Sequence, residues 1–181
     1  AMQVLHAGRY GYHPLSVSAS GKRSPITPFR PRALSTKGVD QTVSDFARSI
    51  ALAGKAGYDA VEVMGSEGYL INQFLAARTN DRDDAWGGTP TRRMRFPVEV
   101  VRRTRELVGP DFPICLRFSQ WKLQDYSARL AHTPDELGRF LAPKLRAFPD
   151  LRDEKGAEAA MIALFGPQRA ELRSETLPAL A

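Results

Sequence analysis

Three short apolar runs set the frame of this chain. They are MQVLH at residues 2–6, DAVEVM at 59–64 and PICLRFS at 113–119. Each is too short for a helix and is separated from the next by a segment with helical periodicity. Val43, Phe46, Ala47, Ile50 and Ala53 recur at helical spacing, with Gly57 as a stop signal. Leu70, Ile71 and Phe74 share one side of a short helix within 67–75, and residues 92–108 form a third helix with Phe96, Val100 and Leu107 on its apolar side. Pro97 is tolerable in a first turn and would kink an interior. Thr133-Pro134-Asp135-Glu136 is a capping box that opens a helix over 133–148. Alternating strand and helix predicts parallel βα units, in an open doubly wound sheet or in part of a (β/α) barrel. Periodicity alone leaves both open.

Residues 8–39 interrupt this alternation. They are rich in Gly, Pro and Ser and carry neither period, and a loop of that length in a compact domain is functional or disordered as a rule. Beyond residue 148 the alternation stops. Residues 149–181 read as a helical or weakly ordered tail, with a helix over 157–165 ended by Gly166-Pro167. The expected organisation is therefore 1–148 and 149–181.

With 181 residues the chain is long enough for one domain with a core, and its 43% apolar content argues against disorder throughout. A net charge of +6 favours an anionic partner without choosing one. Cys115 is the single cysteine, so no disulfide framework or cysteine metal site is expected, and a cytoplasmic setting is the simplest fit. No apolar run approaches a membrane span. Walker and G-x-G-x-x-G motifs are missing, as is any cluster of metal ligands.

Parallel α/β folds place their chemistry at strand ends. Three positions stand there: His6 with Arg9, the turn Met64-Gly-Ser-Glu-Gly-Tyr69, and Arg117 with Ser119. A tyrosine and a carboxylate in one turn suit proton transfer. The structural alternative is that Glu67 caps the short helix and Tyr69 packs beneath it. Arg117 lies between Leu116 and Phe118, so it is expected to be buried and paired, with a carboxylate or with a bound anion. Arg92, Arg93, Arg95, Arg102, Arg103 and Arg105 crowd one helix. They form a solvated face or a phosphate-binding one, and nucleic-acid binding has only their charge behind it.

The segments QVLHAGRYGYHP, AGYDAVEVMGSEGYLINQFLAARTNDRDDAWGG, RMRFPVEVVRR and LRFS resemble the flavin-dependent Old Yellow Enzyme family, most of all the barrel domain of bacterial 2,4-dienoyl-CoA reductases. The resemblance covers residues 2–120 and implies part of a (β/α)₈ TIM barrel, about strands 3 to 5, carrying FMN. It implies that Gln3 bonds the flavin pyrimidine edge and that Arg117 stands beside flavin N1. It further implies that NAD(P)H is the reductant and that Tyr69 protonates the α-carbon of an activated alkene, an enone or a dienoyl-CoA. Met64 and Glu67 stand where other members carry the pair that holds a substrate carbonyl, and are expected to face substrate. Thr89 and Arg92 depart from the family's GGSxxNR motif. Two readings stay open: an FMN oxidoreductase, and a non-catalytic barrel remnant that self-associates through exposed edges.

Overall fold

The structure is a computed structural model that describes residues 1–119. The helices expected at 133–148 and 157–165, and the division at 148, lie outside the described residues.

The apolar runs form strands β1 (Met2–Val4), β4 (Val61–Gly65) and β5 (Ile114–Phe118) of one parallel sheet in the order β1-β4-β5. The register pairs Gln3 with Glu62 and Glu62 with Cys115, then Met64 with Arg117. The strands are laid down consecutively with no reversal of order. A doubly wound sheet reverses at a switch point, whereas a barrel adds each strand beside the last. The described strands fit a segment of a (β/α) barrel, with no switch point among them.

Helix α1 (Thr36–Lys55) joins β1 to β4. It starts before Val39 because Ser35 caps it, its side chain accepting from the Gly38 N–H. Helices α2 (Leu70–Leu75) and α3 (Pro90–Val108) join β4 to β5. Thr89 caps α3, accepting from the Arg92 N–H, and Pro90 takes the first helical position. The earlier start places Pro97 inside the helix rather than in its first turn. Leu107 is 59% exposed and contributes nothing to the apolar side expected of it; the buried stripe is Met94, Phe96, Val100 and Val101.

The core lies between the helices and the outer face of the sheet. It holds Val61 and Val63 of β4 and Val39, Val43, Phe46 and Ile50 of α1, all 5% exposed or less. Phe96 is the hub: its ring stacks on Phe74 at 4.2 Å and meets Phe46 and Trp86 edge-on at 6.2 and 6.3 Å. Such offset and edge contacts contribute on the order of 1 kcal/mol per pair beyond area burial.

The long loop is ordered, contrary to half of the expectation for it. A 3₁₀ turn (Gly8–Tyr10) is followed by β2 (Val17–Ser18) and β3 (Arg32–Ala33), which pair in parallel. Period-2 alternation cannot reveal two-residue strands, and polar bonds do most of the holding. The Ser20 hydroxyl donates to the Thr79 carbonyl at 2.7 Å. Arg82 donates to the carbonyls of Ala19 and Leu34 and makes a two-pronged pair with Asp84. Asp84 also accepts from the Thr36 hydroxyl and the Trp86 N–H. The charged stretch 80–88 is therefore a strap across the long loop and the start of α1.

Hydrogen bonding from Arg82 holds the Asp84 carboxyl down at about 2, with lesser help from Trp86 and Thr36 against desolvation. A carboxylate with a depressed folded-state pKa stabilises above its unfolded value of 3.8 and loses that stabilisation as pH falls toward 2. Allowing for partial solvent screening, about 1–2 kcal/mol is at stake. Asp84→Asn is expected to lower urea-unfolding stability by that amount at pH 7 and to flatten its decline between pH 4 and 2. An unchanged acid limb in the variant would contradict the role given to Asp84.

Candidate active site

The C-terminal ends of all three barrel strands meet around the turn at 66–69. The Leu70 N–H donates to the His6 carbonyl at 3.0 Å, which fastens the end of β1 to the start of α2. The Glu67 N–H donates to Ser119 Oγ at 2.9 Å, which fastens the end of β5 to the same turn. Glu67 and Gly68 both have positive φ, 61° and 89°. A non-glycine residue in that region costs about 1–2 kcal/mol, and such strain persists where surrounding contacts over-determine it. Gly68 is required twice over, because a Cβ there would lie 2.0 Å from Tyr10 Oη.

Gln73 ties this turn to the long loop. It is fully buried, and its Oε1 accepts from the Arg9 N–H at 3.1 Å and from the Ser18 hydroxyl at 2.8 Å. Its Nε2 donates to the carbonyls of Gly68 at 2.7 Å and Ala7 at 3.3 Å. One amide thus spends its donors and acceptor on four groups from three segments.

The inner face of the sheet carries the chemistry. Arg117 Nη2 donates to Glu67 Oε1 at 3.1 Å, and its Nη1 lies 3.9 Å from Glu62 Oε1. Gln3 Nε2 donates to the same Glu62 oxygen at 2.6 Å. Gln3, Glu62, Arg117 and Glu67 therefore form one connected group. Its charged members are two carboxylates and one guanidinium. Arg117 is paired as expected but not buried: its side chain is 48% exposed, because the inner face of the sheet opens away from the helices. Leu116 and Phe118 belong to the opposite face, so a strand that reads as apolar throughout is two-sided.

Glu67 does not cap α2. Tyr69 holds the N-cap position, with no side-chain bond to the helix, and the Glu67 carboxylate turns to Arg117. Tyr69 is half-buried and packs edge-on against Tyr10 at 5.7 Å between ring centroids. Met64 is buried in register with Arg117, and its Sδ accepts from the Ser66 hydroxyl at 2.9 Å. His6 and Arg9 serve the scaffold. His6 Nδ1 accepts from the Gly8 N–H, and burial holds the imidazole below its ordinary pKa, toward the neutral form. Arg9 donates to the Arg23 carbonyl. Cys115 lies on the inner face next to Glu62, and burial first, then that carboxylate, push its thiol up. It is half-buried and lies outside the core, on the site's side of the sheet, with its thiol favoured over the thiolate.

The arginine-rich helix is largely engaged in structural contacts. Arg93 donates to the carbonyls of Leu75 and Gly88, and Arg105 to those of Gly109, Pro110 and Phe112. Arg102 pairs with Glu99 and Glu106, and Arg103 with Asp40. Arg95 lies over the Trp86 ring. These contacts account for five of the six arginines singled out on this helix. Among the described residues no group of three or more His, Cys, Asp or Glu is placed to hold a metal, and no helix is long and apolar enough to cross a membrane.

Sequence reasoning missed Glu62 and Gln73. Glu62 had a signal, being a carboxylate within an otherwise apolar strand, which is the same argument that singled out Arg117. Gln73 had none, because a glutamine between Asn72 and Phe74 reads as the polar side of a helix.

Sheet order, helices on one face and polar groups at the strand ends define a (β/α)-barrel segment with a strand-end site. A sequence model of the NADH:flavin oxidoreductase / NADH oxidase family matches residues 2–160, and the chain belongs to that family. It is 40% identical over 125 residues to an NADH oxidase of Thermoanaerobacter brockii, covering 65% of this chain and 19% of that protein. It is 36% identical over 139 residues to an NADPH dehydrogenase of Clostridium acetobutylicum, covering 76% of this chain and 40% of the relative. Among solved structures, morphinone reductase superposes with a TM-score of 0.70 at 31% identity, over 81% of this chain and 44% of its own. A 2-naphthoyl-CoA reductase superposes with a TM-score of 0.71 at 26% identity, over 81% and 24%. The chain thus spans less than half the length of these relatives.

Gln73→Met keeps the side-chain length and removes four hydrogen bonds. Leaving buried N–H and C=O groups unpaired costs about 1–3 kcal/mol each, less what water recovers. The variant is expected to lose about 2–4 kcal/mol in thermal or urea unfolding. A loss under about 0.5 kcal/mol, the scale of an ordinary surface substitution, would show that the amide is not a clamp.

Proposed function

We propose that this chain carries the substrate-side part of an FMN-dependent oxidoreductase that reduces an activated C=C bond at the expense of NAD(P)H. The observation that supports it most is the pairing of Gln3 and Arg117 on the inner face of the sheet, linked through one Glu62 oxygen. A primary amide and a half-exposed guanidinium side by side match the polar edge of an isoalloxazine, which presents an imide N–H and carbonyl and N1 acceptors. FMN, when bound, supplies the hydride relay from NAD(P)H to the β-carbon of the alkene. Gln3 would fix the ring edge, and Arg117 would place positive charge beside N1.

The chain's own contribution to the reaction is proton placement. Tyr69, at the head of α2, would hold a proton at its hydroxyl for delivery to the substrate α-carbon. Its ring is steadied by Tyr10, and its backbone N–H by the Ser66 carbonyl. Met64 presents a thioether, which cannot donate to a carbonyl, so it would form an apolar wall. Glu67 would border the substrate while engaged with Arg117. Two similar proteins bear on the substrate: a 2-naphthoyl-CoA reductase solved with 2-naphthoyl-CoA, and a 12-oxophytodienoate reductase of Arabidopsis thaliana, 33% identical over 164 residues. A conjugated acyl-CoA thioester or an enone is the substrate class we favour. A cytoplasmic setting is proposed because a single cysteine leaves the chain no internal disulfide.

A second reading has one observation behind it. Among the described residues β1 and β5 are each bonded to a neighbouring strand on one side only. Open edges invite pairing with another chain. A protein that forms concentration-dependent dimers in sedimentation, without flavin, would act as an association module.

Purified protein reconstituted with FMN is expected to show the absorbance of a bound oxidised flavin and to bleach with NADH or NADPH. Tyr69→Phe should leave that bleaching intact while slowing alkene-dependent reoxidation about 10²–10⁴-fold, the usual worth of a positioned general acid. Protein that takes up no FMN would sink the oxidoreductase reading. A Tyr69→Phe variant that reduces alkenes at the normal rate would remove tyrosine from the mechanism.

A further inference from the structure

We propose that Glu62 is a positioning residue: one carboxylate that orients Gln3 and moderates the charge of Arg117, and so sets how both meet a flavin ring edge. The inference rests on the flavin reading above.

Glu62 is the second residue of β4, the middle strand, and stands between Gln3 and Cys115 in the register. Its side chain is 30% exposed. A carboxylate there loses much of its hydration, which partners must offset. Its Oε1 receives the Gln3 amide at 2.6 Å, a short charge-assisted bond of the strong kind. Because Nε2 is engaged, the Gln3 amide is held in one orientation, with Oε1 left as the acceptor that turns to any incoming group. An imide N–H is the donor that such an acceptor selects.

The same Glu62 oxygen lies 3.9 Å from Arg117 Nη1, while Glu67 holds Nη2 at 3.1 Å. The guanidinium is bracketed on both sides, so its plane and reach are set before a ligand arrives. Its positive charge is opposed by two carboxylates. A ligand that gains negative charge on reduction is therefore stabilised less than it would be by Arg117 alone. Glu67 belongs to the strained turn and borders substrate. The polar partners of Glu62 among the described residues are the two flavin-facing candidates, Gln3 and Arg117, and orientation and charge balance are the roles that fit it.

Two variants separate them. Glu62→Gln keeps shape and an acceptor for Gln3 but removes the charge; Glu62→Leu removes both. Far-UV circular dichroism checks that each folds. In the flavin-free protein, the Gln3 side-chain amide protons should show slowed exchange with water by NMR in the wild type and in Glu62→Gln, and fast exchange in Glu62→Leu. With FMN, Glu62→Leu should bind about tenfold more weakly than wild type, and adding Gln3→Leu to it should weaken binding little further, as expected of one coupled unit. In Glu62→Gln the preference for reduced over oxidised FMN, read from the midpoint potential, should rise about tenfold, the scale of one charge roughly 10 Å away in a partly screened site. Unchanged FMN affinity and unchanged potential in both variants overturn the inference while the flavin reading stands. Wild-type protein that binds no FMN sinks the flavin reading and the flavin-directed half of this proposal, and fast exchange of the wild-type Gln3 amide protons sinks the orienting half as well.

Discussion

The Gln73 amide is the interaction on which the rest of the site depends. A barrel strand end is only as well placed as the loops that leave it, and here a 31-residue span between β1 and α1 has few regular bonds of its own. Gln73 sits in a helix of six residues, yet it binds Ala7, Arg9, Ser18 and Gly68 together. It adds a side-chain tie between the turn 66–69 and the loop, beside the Leu70–His6 backbone bond and the Tyr10–Tyr69 ring contact. Its complete burial raises the stakes, since each of those groups is hydrogen-bonded to Gln73 or left dry.

The two faces of the sheet follow opposite rules. On the outer face Val61 and Val63 are buried, and Gly65 is bare because a Cβ would strike the Arg117 carbonyl at 2.8 Å and Ile71 at 3.1 Å. On the inner face the same strands carry Gln3, Glu62, Cys115, Met64 and Arg117. Alternation along a strand lets one backbone serve a dry core and a polar site at once. The result is a chain of groups that hold one another in place: Glu62 and Glu67 bracket Arg117, and Glu62 holds Gln3.

Charge elsewhere is mainly structural. The net +6 suggests an anionic partner, but most arginines of α3 are occupied by carbonyls, carboxylates or an indole ring. Arg82 is likewise spent within the strap at 80–88. Arginine is suited to this work because its planar fork satisfies several carbonyls at once. A count of basic residues therefore says little about what this protein binds.

Much of the architecture was legible before the fold was known. Apolar runs gave β1, β4 and β5, helical spacing gave α1 and α3, and the motif strings gave the family. The start of α3 was misplaced because Thr89-Pro90 reads as loop punctuation when it is in fact a cap followed by a first-turn proline. The interior order of the long loop was invisible, because two-residue strands and serine bonds leave no period. By itself the sequence determined the alternation of parallel βα units and the residue types available at each strand end, since both follow from local spacing. Only the tertiary structure decided that the strands are laid in consecutive order, that Glu67 turns to Arg117 instead of capping α2, and that Glu62 links Gln3 to Arg117. Those outcomes depend on the lateral register of strands distant in the chain, and no local period encodes which residues stand opposite one another.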